Sequence, residues 1–421
     1  MPIYQDSRID SLVIPDTVEY RGMKYAVTDI DVSYFHDYPT LTLPKNLRTI
    51  TQLKNSSPKL EIPSSVEKIL YLEVSNVTDL VLPSSLKYIG EPGKTSVLRC
   101  GNTGLTIPEG VVHVQNLNGN KFETVNIPAS LQTLGEGCMS SMSDLKTVTF
   151  APGCRLRELP KNCFMLSNRL KNIVLPDGLE RIGAESFEGC GSLKEIAIPA
   201  NVKRIDAGAF SECTNLEHIS FAEDSQLETI DGGRYSYNGT FFGCENLEYI
   251  EFPSSLKVFK DCFQSCGIVY ADFSKTQITE LDKEWGIFNG CHALETVMLP
   301  PTLKTVGNMF QDCEKLTSVV IPEGTEEIGG VFAPNLQSLI IPASVKTLGG
   351  LTSNAPTVVC EGMTPPEGEG LADYIYASSL RHFTLYVPAG ALQAYKDYEF
   401  KFGRYNHIYR IMVPIYEMAN N

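Results

Sequence analysis

The chain has 421 residues, of which 43% are hydrophobic and 20% charged, and a formal net charge of −15. The apolar fraction excludes general disorder, and the negative charge argues against nucleic acid and against a polybasic membrane contact. No run of about 18 apolar residues occurs, so no transmembrane segment is expected.

In chain order, the opening MPIYQDSRIDSLVIP lacks a basic stretch followed by an apolar one, so it does not read as a secretory signal. IPDTVEYRGMKYAVTDID then reads as a β-hairpin, two β-rich runs around Arg21-Gly22. From Thr51 to Asn120 apolar positions recur at short, irregular intervals. From Leu145 to Ile219 the spacing becomes regular. Segments from Leu170, Leu193 and Leu216 share the form L-x-x-I-x-(I/L)-P-x-x-(V/L)-x-x-I-x-x-x-(A/S)-F-x-x-C-x-x-L, with Ala222 in the proline place of the third. The register bulges at DGGRYSYNGT (231–240) and DKEWG (282–286), and is regular again from Leu294 to Ile341. TPPEGEG (364–370) breaks it, and HFTLYVPAGALQAYKDYE reads as a strand ending at Pro388 followed by a short helix.

The chemistry of one turn follows from its pattern. L-x-x-I-x-I alternates apolar groups, as a strand with one buried face does. Proline lacks an N–H and fixes φ, so it ends the strand. V-x-x-I supplies core residues on a second side, and IDAGAFSEC is expected to return the chain through a helical or 3₁₀ turn. Its Phe, at 187, 210, 241, 263, 288 and 310, fills the centre. One turn cannot bury its own apolar face; stacking does. About fifteen turns are expected, spaced mostly about 19–26 residues apart and stacking into roughly 70 Å at the strand spacing. Phe210→Ala is expected to lose about 3–5 kcal/mol.

This unit resembles the BspA-like leucine-rich repeats of Bacteroides-type surface proteins, and the opening and closing segments are similar to those that begin and end such arrays. The expected fold is therefore a leucine-rich-repeat solenoid, right-handed, β-rich with short helical or 3₁₀ turns and capped at both ends. The expected division is an N-terminal hairpin cap with first coil (1–30), the array (31–360) and a C-terminal cap (361–421). The resemblance implies an exported or surface-attached protein that binds a host or microbial protein or glycan, without catalysis or cofactor. A signal or lipoprotein segment would have been removed ahead of Met1. The rivals are a spacer that displays another module, and a glycosidase built on the inserted loops; two carboxylates gathered in a pocket would favour the latter.

Twelve cysteines raise the question of disulfides or metal. Cys190, Cys213, Cys244, Cys266, Cys291 and Cys313 hold the last place of F-x-x-C, and Cys138, Cys163 and Cys262 precede the Phe or its substitute. Met142 and Ser167 occupy the F-x-x-C place elsewhere, which favours buried, inert thiols over stacked disulfides. No C-x₂-C pair favours zinc. The six histidines show no ligand spacing, and read as solvated surface groups. No nucleophile elbow, P-loop or dinucleotide fingerprint occurs. Candidate partner-binding residues are Arg234, Tyr235, Tyr237 and Trp285 on the bulges, and an acidic column of Glu195, Glu217, Glu248 and Glu295. Lys203, Arg204, Lys257, Lys304 and Lys346 form a basic column on another side. Each column reads either as an electrostatic stripe for a partner or as ordinary solvation.

Overall fold

A computed structural model describes residues 11–32, 40–55, 57–74, 76–94, 97–233, 239–260, 263–281, 286–307, 309–329, 333–349, 355, 357–368, 384–402 and 411–414. It divides into two units, Met1–Leu193 and Lys194–Asn421. Each is a β-solenoid. Among the described residues the turns number about fourteen, against about fifteen read from the sequence.

In the first unit, strands Thr17–Tyr20 and Met23–Ala26 pair antiparallel around Arg21 and Gly22, both at positive φ. Two successive left-handed residues form the tight turn whose twist suits a hairpin. The remaining paired strands of this unit are parallel, each aligned with its equivalent in a nearby turn, as in Thr124–Ile127 beside Thr147–Phe150. Where the sequence is irregular, the chain returns by a strand. Tyr71–Val74 pairs with Val97–Cys100, and a buried asparagine closes such turns. The Asn102 side chain accepts from the Leu80 N–H at 3.0 Å and donates to the Leu80 carbonyl at 3.0 Å; Asn120 accepts from the Cys100 N–H at 3.0 Å and donates to the Leu98 carbonyl at 2.6 Å. Each amide satisfies backbone groups that would otherwise be buried unpaired.

In the second unit most turns carry two strand sides. The longer side includes Glu195–Ile198, His218–Phe221, Tyr249–Glu251, Tyr270–Asp272, Thr296–Met298, Ser318–Val320 and Ser338–Ile341. The shorter side is made of two-residue strands such as Arg204–Ile205, Thr229–Ile230 and Val258–Phe259. Between them lies the phenylalanine column. Phe210, Phe241, Phe263, Phe288 and Phe310 are wholly buried, and successive ring centroids are 5.8, 5.2, 5.4 and 5.8 Å apart with planes within 15° of parallel. In the first unit Phe164 and Phe187 stack likewise at 5.3 Å. Dispersion and apolar burial favour this column over scattered rings.

The return past each Phe closes through short turns of the 3₁₀ hydrogen-bond type, as from the Cys190 N–H to the Phe187 carbonyl at 3.0 Å, without forming a helix. It is a run of tight turns whose alternate N–H groups bond the next coil. Asn162, Phe164 and Leu166 donate to the carbonyls of Ala184, Ser186 and Glu188 at 2.9, 2.7 and 2.7 Å. Donors committed to a neighbouring coil are unavailable to a helical ladder. The residue before the F-x-x-C cysteine is left-handed in both units, whether it is glycine (Gly189, Gly243, Gly290) or not (Leu166 before Ser167, Glu212, Ser265, Asp312). For a residue with a Cβ that conformation costs about 1–2 kcal/mol.

Strand Thr384–Val387 and helix Leu392–Phe402 lie where the sequence reading places them. Tyr395 anchors the helix: it is 1% exposed and its hydroxyl donates to the Gly362 carbonyl at 3.1 Å.

Candidate functional site

The cysteines have a structural explanation. The Sγ of Cys190, Cys244, Cys291 and Cys313 donates to the carbonyl of the phenylalanine one coil earlier, at 3.3, 3.2, 2.7 and 3.2 Å. Ser167, in the same place, donates its hydroxyl to the Met139 carbonyl at 2.8 Å. The place is therefore filled in these turns by a small side chain that donates one hydrogen bond, while Met142 fills it by packing alone. Burial pushes the thiols of Cys138, Cys266, Cys313 and Cys360 up to about 12, so they stay protonated and unreactive. Cys262 lies outside the described residues. No cluster of three or more His, Cys, Asp or Glu suited to a metal ion occurs among the described residues.

His113 departs from the solvated reading of the histidines. It is 4% exposed, its Nδ1 lies 2.8 Å from Thr133 Oγ1 and its Nε2 3.2 Å from Gln115 Oε1. The amide oxygen can only accept, so Nε2 carries the proton, and burial lowers the pKa to favour this neutral form. His218 and His292 are exposed; His36, His382 and His407 lie outside the described residues.

Among the candidate partner-binding residues, Arg234, Tyr235, Tyr237 and Trp285 also lie outside the described residues. Glu195, Glu248 and Glu295 are exposed and Glu217 half-buried, but they do not fall in one column. Glu195 is in register with His218 on the strand, while Glu217 stands one residue earlier. Glu217 is held by Lys194 at 2.8 Å and Glu295 by Lys315 at 3.6 Å; Glu195 and Glu248 have no ion-pair partner among the described residues. The Lys194 ammonium holds the Glu217 carboxyl below its ordinary range.

The basic column proves to be one of alternating sign. Position by position along the short-strand side, Lys203, Glu228 and Lys257 succeed one another, then Lys304, Glu326 and Lys346. Lys257 meets Glu228 at 2.8 Å and Lys346 meets Glu326 at 2.6 Å. Arg204 is held by Asp206 at 2.6 Å and Asp231 at 2.5 Å. This side neutralises itself.

The outward positions of the long-strand side differ. Across Glu195–Ile198 to Ser338–Ile341 they include Glu195, Glu251 and Asp272 and no lysine or arginine. Tyr249, 50% exposed, stacks on Tyr270 with centroids 5.2 Å apart and planes 9° from parallel. Their hydroxyls lie 3.3 Å from Glu251 Oε2 and 3.4 Å from Asp272 Oδ2. Burial, then the nearby carboxylates, raise both phenols. Lys275, from the adjoining turn, bonds Glu251. The next three strands present Met298, Val320 and Ile340, exposed by 45, 73 and 42%. Sequence reasoning missed this surface, although its signal was present: apolar and aromatic residues at strand positions that alternation turns outward. Beside it runs a shallow open groove lined by Glu295, Thr296, Lys315, Ser318 and Gln337.

The first unit's equivalent outward positions are mixed: Val81 and Val174 are 76 and 80% exposed, while others are polar. Asn126 donates to Thr106 Oγ1 at 3.1 Å and accepts from Thr149 Oγ1. Those three polar side chains satisfy one another.

No helix among the described residues is long and apolar enough to cross a membrane. No curated protein matches the chain. The structure is similar to a leucine-rich repeat protein from Bacteroides ovatus, 19% identical, covering 97% of this chain and 94% of that one, with a TM-score of 0.48. It is similar also to the pneumococcal vaccine antigen PcpA, 15% identical over 97% and 91% of the two chains, TM-score 0.41. A third similar structure is a leucine-rich cell surface protein from Faecalibacterium prausnitzii, 18% identical over 69% and 90%, TM-score 0.31. Four overlapping stretches, residues 64–158, 112–239, 157–285 and 234–332, match the BspA type leucine rich repeat region, with six copies. Together they span more than half of the sequence, and the chain belongs to the BspA-type leucine-rich repeat family.

Proposed function

We propose that this chain is a non-catalytic binding module of the cell surface or the extracellular space. It would take hold of a protein or glycan through an exposed side of its repeats, with residues 1–30 and 361–421 serving as caps of the array. The observation that carries this reading is the contrast in outward chemistry. Ion pairs interlock the short-strand side, whereas Tyr249, Met298, Val320 and Ile340 stand exposed on the long-strand side. Clustered apolar groups on a rigid surface are a mark of partner contact. Membership in the family supports an exported location. The buried thiols do not oppose it, since a thiol held protonated in a core resists oxidation.

Arg234, Tyr235, Tyr237 and Trp285 are proposed as further contacts from the bulges, together with the exposed Glu195 and Glu248. Arrays of extracellular-matrix proteins and of glycans, probed with the full chain, test the reading. Saturable binding is expected, weakened by Tyr235→Ala combined with Trp285→Ala at unchanged melting temperature. Failure to bind any member of either array would overturn the reading.

A further inference from the structure

We propose that the long-strand face from Tyr249 to Ile340 is a docking site for an extended protein segment carrying an arginine followed by aliphatic side chains. The proposal rests on the reading of this chain as a binding module, and adds the place and the partner's chemistry.

Glu251 and Asp272 face each other directly across neighbouring parallel strands. Like charges so placed are destabilising, and Lys275 bonds only one of them, Glu251. Asp272 accepts from the Ser274 N–H at 2.7 Å and has the Tyr270 hydroxyl 3.4 Å away, neither of which supplies positive charge. The pair thus retains a net negative charge beside the half-exposed ring of Tyr249. A guanidinium matches this combination: it offers a planar fork of donors to carboxylates and stacks on aromatic rings. An ammonium offers a more strongly hydrated point charge, so arginine is favoured over lysine.

The aliphatic half follows from the adjoining strands. Asp272 is in register with Met298, and Val320 with Ile340; the strands bearing Met298 and Val320 lie next to each other. The row from the carboxylate to Ile340 therefore spans three strand spacings, about 14 Å. An extended segment covers that distance in about four to five residues. Burying these three side chains offsets the cost of ordering such a segment. A glycan fits less well: neutral sugars leave Met298, Val320 and Ile340 uncovered, and acidic sugars are repelled by Glu251 and Asp272.

The test is a displayed library of random peptides about twelve residues long, panned on the full chain, beside a glycan array. Enriched peptides are expected to carry arginine next to aliphatic residues. Their affinity should fall about tenfold or more for Asp272→Asn, which removes the repulsion from Glu251, and likewise for Met298→Ser combined with Val320→Ser, with no variant melting below wild type. The asparagine retains the oxygen that accepts from Ser274. Enriched peptides without basic residues, or equal affinity for the variants, would overturn the proposal and leave the binding-module reading standing. Glycans captured through the same residues while peptides are ignored would do the same. A chain that enriches nothing from either collection would overturn both.

Discussion

Two sides of the unit Lys194–Asn421 share one phenylalanine column, yet use their outward positions in opposite ways. On the short-strand side the sign of charge alternates from coil to coil, and Lys257 with Glu228, or Lys346 with Glu326, close the ladder. On the long-strand side Glu251 stands against Asp272, and three aliphatic side chains remain in water. Stability and solubility explain the first arrangement. They do not explain the second, which costs both. Stacking repeats the same backbone position every coil, so a given outward site is a column. A column can be filled to interlock with itself or left for a partner.

The largest expected effect removes the support behind both sides. Phe263 lies between Phe241 and Phe288 and also touches Phe252 and Phe259. Phe263→Ala should cost about 3–5 kcal/mol, read as a lower denaturation midpoint, and should disturb both sides together. A cost near that of a surface substitution would mean that the two sides do not share a spine.

Next comes the donor place of the return. Cys291→Ser preserves a donor to the Phe263 carbonyl, whereas Cys291→Val removes it. The valine variant should be the less stable by about 1–3 kcal/mol, in parallel urea titrations. In the same samples, alkylation followed by mass spectrometry should find the eleven described cysteines unreactive until unfolding. Labelling of any of them in the native state would contradict their burial.

A gain of about 1 kcal/mol is expected for Leu166→Gly. Leu166 is 48% exposed and left-handed at φ 58°, so glycine relieves strain at little loss of burial. Thermal unfolding compares it with wild type, and a loss of stability would show that the turn is not strained there.

The smallest effect belongs to the interlocked charges. Lys257 and Lys346 depress the Glu228 and Glu326 carboxyls below the ordinary 4.5. A depressed folded-state value means that the contribution is complete above 4.5 and is lost as pH falls through the lowered range. Both groups are exposed, so the loss should be slight and should vanish in concentrated salt. Glu326→Gln should flatten that part of the pH–stability curve. An unaltered curve would remove the pair from the account.

The fold was legible because its signals recur in register. Proline, Phe and Cys each return at one place in the turn, so the central column and the packing role of Cys190 or Cys291 could be read without coordinates. The asparagines at 102 and 120 escaped notice because the turns that hold them are short and unevenly spaced, and they lack the Phe and Cys that mark the return elsewhere. The return was legible as a short turn but not in its bonding: alternate N–H groups bond the next coil, a contact no local propensity reports. The acidic column was misaligned by one residue at Glu195. That shift moves it from the entry of the strand onto the strand itself. Tyr249 and Tyr270 were invisible as a pair, because a parallel register between turns decides which residues separated by a whole coil become neighbours.

The division of labour between the two sides is tested most directly by one paired measurement on a library-selected peptide: its affinity for, and the melting temperature of, Asp272→Asn and Lys257→Gln. The account predicts that Asp272→Asn loses about tenfold in affinity and melts no lower than wild type, whereas Lys257→Gln binds as wild type and melts slightly lower. The opposite pattern, with affinity lost on the interlocked side and stability lost on the bare one, would contradict it.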